Sequence, residues 1–211
     1  MKYYIVDFDG TITLKDTLVE VFDKYCVKDW LVPENRMFNG EISRTQALFE
    51  EVDLMKVTEK ELWDFISKNI KIRNGFSEFV GRVHKHGDKM MILSGGFRSF
   101  VEFILGKEGS GVSWIGLIIA NNIKYLGDGK WKFIPCPDTL PQLCGTCPNC
   151  KRAMVEKIIC EGYETVYIGD GETDFCASEH ASEIWATGSL AQRLDKKGVK
   201  YHPFDDFGQI K

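Results

Sequence analysis

Short apolar runs alternate with helical periodicity along most of the chain. Tyr3-Tyr4-Ile5-Val6, Met90-Met91-Ile92-Leu93 and Thr165-Val166-Tyr167-Ile168 carry aliphatic, aromatic or β-branched side chains at every position. Such runs suit strands buried on both faces of a parallel sheet. Each ends in a small or acidic cluster: Asp7-Phe8-Asp9-Gly10, Ser94-Gly95-Gly96 and Gly169-Asp170-Gly171. Between them, Phe76, Phe79, Val80 and Val83 fall on one helical face, as do Val155, Ile158 and Ile159. Strands alternating with helices predict an α/β fold, a doubly wound, Rossmann-like parallel sheet.

One stretch breaks this rhythm. Leu18, Val21, Phe22, Tyr25 and Cys26 repeat at helical spacing, and two capping boxes follow, Ser43-Arg44-Thr45-Gln46 and Thr58-Glu59-Lys60-Glu61. Each box satisfies the free N–H groups of a helix start. Residues 16–71 therefore read as a small all-helical cap inserted after the first strand, with 1–15 and 72–211 forming the α/β core. Leu117 to Phe133, with Gly127-Asp128-Gly129 at its centre, reads as a β-hairpin. Residues 134–150 form a cysteine-rich loop within the core.

Composition narrows the class. The chain has 211 residues, is 44% hydrophobic and carries a formal net charge of −4. That balance suits a globular domain and argues against a general nucleic-acid binder, which needs a basic face. The longest apolar run, Trp114 to Ala120, is too short to span a bilayer. No leader-like order of basic, apolar and small residues is visible at Met1, so a cytoplasmic location is expected. A monomer or homodimer without membrane or nucleic-acid partners fits these features.

Ligands of open α/β sheets bind beyond the carboxyl ends of the strands. There the chain places Asp7 and Asp9, Ser94 with Gly95 and Gly96, and Asp170 with Asp174. Several carboxylates in one crevice repel one another unless a cation sits among them, and hard oxygen ligands suit Mg²⁺ shared with a phosphate. Ser94, the glycine N–H groups and a lysine supply donors for that phosphate. Taken singly, each feature also has a plain structural reading: a solvated Asp-rich turn, a tight Gly-Gly turn, a surface lysine or a helix cap.

Asp7-Phe8-Asp9-Gly10-Thr11 resembles the DxDGT signature of the haloacid dehalogenase superfamily. Leu93-Ser94-Gly95-Gly96, Lys151 and Gly169-Asp170-Gly171-Glu172-Thr173-Asp174 resemble its next three motifs, in order. The resemblance implies a Mg²⁺-dependent phosphatase in which Asp7 is the nucleophile and Asp9 the general acid and base. It implies Mg²⁺ on Asp7, Asp170, Asp174 and the backbone carbonyl of Asp9. Thr11, Ser94, Gly95 and Lys151 would hold the phosphate of a small phosphorylated metabolite.

The helical insert is similar to that of phosphoserine phosphatases, but the matching stretch Ala47 to Val52 has no arginine, and Asp16 would repel a substrate carboxylate. A finer resemblance is to the 2-hydroxy-3-keto-5-methylthiopentenyl-1-phosphate phosphatases of methionine salvage. It rests on Lys71 to Val80, on Cys147-Pro148-Asn149-Cys150-Lys151 and on Ile168 to Asp174. Phosphoethanolamine and phosphocholine phosphatases share the Cys-Lys pair, and a phosphotransferase would use the same residues. A non-catalytic binding protein would have no need of all five charged groups. Phe22, Phe49, Met55 and Trp63 are candidates for an apolar pocket wall and equally for core.

Cys136, Cys144, Cys147 and Cys150 stand at C-x7-C-x2-C-x2-C spacing. A structural Zn²⁺ site, a disulfide and free thiols all remain open at this point. Cys26, Cys160 and Cys176 fall on helical faces and are expected in the core. The four histidines show no metal-binding spacing.

Overall fold

The computed structural model describes residues 1–107, 112–138, 140–141, 143 and 149–211. The three apolar runs form β1 (Lys2–Val6), β2 (Lys89–Phe97) and β5 (Glu164–Gly169). With β3 (Leu117–Gly127), β4 (Lys130–Ile134), β6 (Glu183–Ala186) and β7 (His202–Pro203) they build one sheet in the order β4-β3-β2-β1-β5-β6-β7. Every pairing is parallel except β3–β4, which is the expected hairpin. The sheet is that of the expected doubly wound α/β fold. The chain runs outward from β1 to β3, then returns to lay β5 against the other side of β1. That reversal opens a crevice at the ends of β1 and β5.

The helical stretch comprises α1 (Thr17–Tyr25), α2 (Leu31–Phe38), α3 (Arg44–Asp53) and α4 (Glu59–Asn69). Asp16 caps α1, and both expected capping boxes form at Ser43 and Thr58. The segments that enter and leave this stretch pair with each other. Leu14 N–H donates to the Lys71 carbonyl, Arg73 N–H to that of Ile12, and Thr13 bridges Ile72. The helices do not carry a separate core. Val21, Phe22, Leu48, Val52, Leu62 and Ile66 belong to one apolar cluster with Phe97, Phe100, Trp131 and Phe133 of the sheet side.

The remaining helices are α5 (Phe76–Lys85), α6 (Arg98–Lys107), α7 (Lys151–Cys160), α8 (Phe175–Ser178) and α9 (Gly188–Lys197). The buried face of α5 is the expected set Phe76, Phe79, Val80 and Val83. On α7, Val155 and Ile158 are buried but Ile159 is exposed.

The cysteines depart from expectation in part. Cys160, at the end of α7, is exposed, and Cys26, the C-cap of α1, and Cys176 are only half-buried. Cys136 is buried beside Leu93 and Met154, and Cys150 Sγ accepts the Leu143 N–H at 3.3 Å. Cys144 and Cys147 lie outside the described residues, and no zinc-binding set is assembled among the described ones.

Candidate active site

β1 ends at Val6 and delivers Asp7, whose N–H donates to the Ile168 carbonyl of β5 at 2.9 Å. This ladder bond places Asp7 beside Asp170 at the end of β5. Asp174 follows one turn later, and one carboxylate oxygen from each of Asp7, Asp170 and Asp174 lies within 4.8 Å of the others. Lys151, first residue of α7, inserts its ammonium among them. Its Nζ lies 2.6 Å from Asp7 Oδ1 and 2.7 Å from Asp174 Oδ1, and all three side chains are buried.

Asp174 is held on every side. Tyr167 Oη donates to its Oδ1 at 2.6 Å, and the N–H groups of Asp170 and Gly171 donate to its Oδ2 at 3.1 and 2.9 Å. Two glycines make this closeness possible. A Cβ on Gly169 would stand 2.7 Å from the Asp174 carboxyl carbon. Gly10 has φ +81°, and a Cβ there would strike Asp170 Oδ2 at 2.2 Å. Only glycine suits such a conformation and approach.

Three carboxylates against one ammonium leave two uncompensated negative charges. The titration of the groups reflects this. Burial, and then Asp174, push Asp7 well above the usual carboxylate range. Burial and Asp174 likewise lift Asp170 to about 7, although Thr11 bonds it. Burial works to lower Lys151, but Asp174 and Asp7 overcome it and raise its pKa. A divalent cation coordinated by oxygen matches that donor set in charge and in hardness.

Asp9 is separate from this cluster. Its Oδ1 accepts the Thr17 N–H at 3.1 Å, at the amino end of α1, and its Oδ2 accepts the Ser94 hydroxyl at 3.2 Å. Burial, then the neighbouring Asp16, raises Asp9 to about 7. A carboxyl with that value can both give and take a proton near neutrality. The bulge between β2 and β3 at Leu93–Phe97 turns Ser94, Gly95 and Gly96 out of the ladder. Gly96 N–H donates to Ser94 Oγ at 2.8 Å, and Asn149 and Asn121 anchor the carbonyls of Ser94 and Gly95.

Two of the expected site residues also have partners within the protein. Thr11 is fully buried and its hydroxyl donates to Asp170 Oδ1 at 2.6 Å, so its side chain orients a carboxylate. Asp174 belongs to the acidic cluster and also accepts from Lys151, Tyr167 and the β5 loop, which fixes its position there.

Above this floor lies a cavity of about 850 Å³, reaching from Asp7, Asp9, Gly95 and Lys151 to the helical stretch. Of the four candidate wall residues only Phe22 lines it; Phe49 packs edge-on to Phe133, Trp63 packs on Phe100 and Phe103, and Met55 is core. The apolar wall comes instead from Leu18, Trp30, Met37, Phe38 and Ile42.

Some residues of the site could not be found by motif. Tyr167 reads as a strand aromatic, and only its hydroxyl contact gives it a role. Arg73 donates from Nε to the Thr11 carbonyl (2.8 Å), from Nη2 to that of Gly10 (2.6 Å) and from Nη1 to that of Asp205 (3.1 Å). It ties the Asp-rich loop to the C-terminal segment. Arg44 stands on the cavity wall between Glu34 and Glu51.

This fold with this site defines a phosphatase of the haloacid dehalogenase type. Residues 3–184 match the family model described as a putative phosphatase, and the chain belongs to that family. It is 27% identical over 214 residues to a 2-hydroxy-3-keto-5-methylthiopentenyl-1-phosphate phosphatase of Exiguobacterium, covering 99% of this chain and 94% of that protein. A protein of the same name from Bacillus velezensis is 29% identical over 209 residues, covering 98% and 87%. Among solved structures, a phospho-aspartyl intermediate analogue of phosphoserine phosphatase superposes with a TM-score of 0.70 at 21% identity, covering 99% of this chain and 96% of that one. The last likeness concerns the fold.

Proposed function

We propose that this chain hydrolyses the phosphomonoester of a small metabolite through an aspartyl-phosphate, with residues 16–71 acting as a cap over the active site. The observation that carries the reading is the convergence of Asp7, Lys151, Asp170 and Asp174 beside Asp9 at the floor of the cavity. In the first step an Asp7 carboxylate oxygen attacks phosphorus and the ester P–O bond breaks. Asp9 gives its proton to the departing oxygen. In the second, Asp9 takes a proton from water, the water oxygen attacks phosphorus, and the bond to Asp7 breaks to release phosphate. Lys151 and the Gly95 N–H, on the cavity lining, would supply donors for the phosphoryl oxygens, with Ser94 beside Asp9. Asp7, Asp170 and the Asp9 carbonyl, with Asp174 in support, would hold Mg²⁺, which neutralises phosphoryl charge when bound.

For the substrate we propose 2-hydroxy-3-keto-5-methylthiopentenyl-1-phosphate. The relatives similar over the full chain bear that name, and the cavity wall of Leu18, Phe22, Trp30, Met37 and Phe38 suits an apolar methylthio tail. A panel of phosphomonoesters, assayed for free phosphate with Mg²⁺ and with EDTA beside Asp7→Asn, tests both levels. Turnover that needs Mg²⁺ and Asp7 is expected. A variant keeping most of its rate removes Asp7 from its role, and a product other than free phosphate means a phosphotransferase.

A further inference from the structure

Arg44, the first residue of α3, lines the cavity. Its guanidinium faces the cavity but is already engaged. Nη1 pairs with Glu34 Oε2 of α2 and, at 3.3 Å, with Glu51 Oε1 of its own helix. Glu34 lines the cavity, while Glu51 is fully buried on the same stripe as Ala47, Leu48 and Val52. Asp16, which caps α1, adds another carboxylate to the same wall. A half-buried arginine paired with Glu34 has little attraction left for a further carboxylate, and the Glu34 and Asp16 carboxylates beside it oppose one. Burying Glu51 in an apolar stripe is costly, and its placement makes sense as a device that keeps Arg44 from turning toward the ligand.

We infer that Glu34 and Glu51 are specificity-determining residues that withhold Arg44 from the substrate and so select phosphomonoesters whose other end carries no carboxylate. The inference rests on the phosphatase reading above and deepens it, because it concerns the end of the substrate remote from Asp7. Rejection by repulsion needs no contact with the preferred substrate, so it leaves the apolar part of the wall free to bind an uncharged tail.

The test uses a matched pair, glycerol 1-phosphate and 3-phosphoglycerate, which share a three-carbon skeleton and differ by a carboxylate in place of a hydroxymethyl group. kcat/KM for each is measured with Mg²⁺ on the full chain, on Glu34→Gln and on Glu34→Gln/Glu51→Gln, with thermal melts to verify folding. The wild-type chain is expected to prefer glycerol 1-phosphate by about tenfold or more, the scale of a partly screened charge contact. That preference is expected to shrink in Glu34→Gln, to change little more in the double variant at neutral pH because Glu51 already holds a proton there, and to return in part, through Asp16, when Arg44→Met is added. If the double variant fails to fold, the single substitution at the cavity wall decides the matter. Equal or better use of 3-phosphoglycerate by the wild-type chain overturns the inference while leaving the phosphatase reading intact, and so does an unchanged ratio in folded variants. No hydrolysis of either ester or of p-nitrophenyl phosphate by the wild-type chain overturns both.

Discussion

The floor of the cavity and its helical wall are built on different principles. On the floor, Asp7, Asp174 and the Ser94 loop are held by backbone N–H and C=O groups from β1, β2 and β5 as well as by side chains. In the wall, Glu34, Arg44 and Glu51 are held by one another. A backbone network fixes positions to within the tolerance that chemistry requires, and changing one member leaves buried charge unpaired. A side-chain network can be altered one residue at a time. The contrast fits the proposed division of reaction at the floor and selection at the wall.

The largest effect should come from breaking the floor at its centre. Asp7→Asn is expected to lower turnover by at least about 10⁴-fold, the scale for losing a covalent nucleophile, in steady-state phosphate release. Lys151→Met comes next. It leaves Asp7 and Asp174 facing each other without their shared cation, so chemical denaturation should show a loss of about 3–5 kcal/mol along with lost activity. Arg73→Met sharpens the comparison, because Arg73 bonds carbonyls of the floor and of the C-terminal segment and lies over the Phe204 ring, away from the reacting groups. It should lower kcat by about tenfold with KM little changed, the pattern of a misplaced catalytic loop. A rise in KM at constant kcat would place it in substrate binding instead.

The wall offers a pH test. Burial pushes Glu51 up to about 8; Arg44 opposes this, and Glu34 and Asp16 reinforce it. The folded chain therefore holds a proton on Glu51 that the unfolded chain releases near the ordinary value of 4.5. The associated stability is fully present below 4.5 and is lost as pH rises through about 8. Glu51→Gln, which cannot ionise, should flatten this fall and melt above wild type at pH 9, by about 1 kcal/mol or more in denaturant titrations. The smallest change is expected at Phe49. It packs on Phe133 at 4.8 Å and stands outside the cavity, so Phe49→Ala should cost about 1 kcal/mol of stability and leave kcat/KM within roughly twofold.

The four motifs were legible because each is local. A β-branched or aromatic run followed at once by Asp7-Phe8-Asp9-Gly10 or Gly169-Asp170-Gly171 announces a strand end, and a sheet brings strand ends together whatever the rest of the chain does. The capping boxes at Ser43 and Thr58 were legible for the same reason. The Thr11 contact with Asp170 was not legible, because the two are 159 residues apart. The place of Arg44 depends on Glu34 in a different helix, which no spacing within its own helix reveals. Of Phe22, Phe49, Met55 and Trp63, periodicity could say that all four lie on apolar faces, but not which face meets the cavity.

Sequence alone thus determined the alternation of strands and helices, the inserted helical segment and which carboxylates stand at the strand ends, since these depend on neighbours a few positions apart. Tertiary structure alone decided that Asp174 serves Lys151 and Tyr167, that Arg73 braces the Asp-rich loop, and that Arg44 pairs with Glu34 and Glu51. Those assignments are contacts between elements distant in the chain. Their energy comes from burial and pairing, and neither exists until the sheet and the helices have closed on each other.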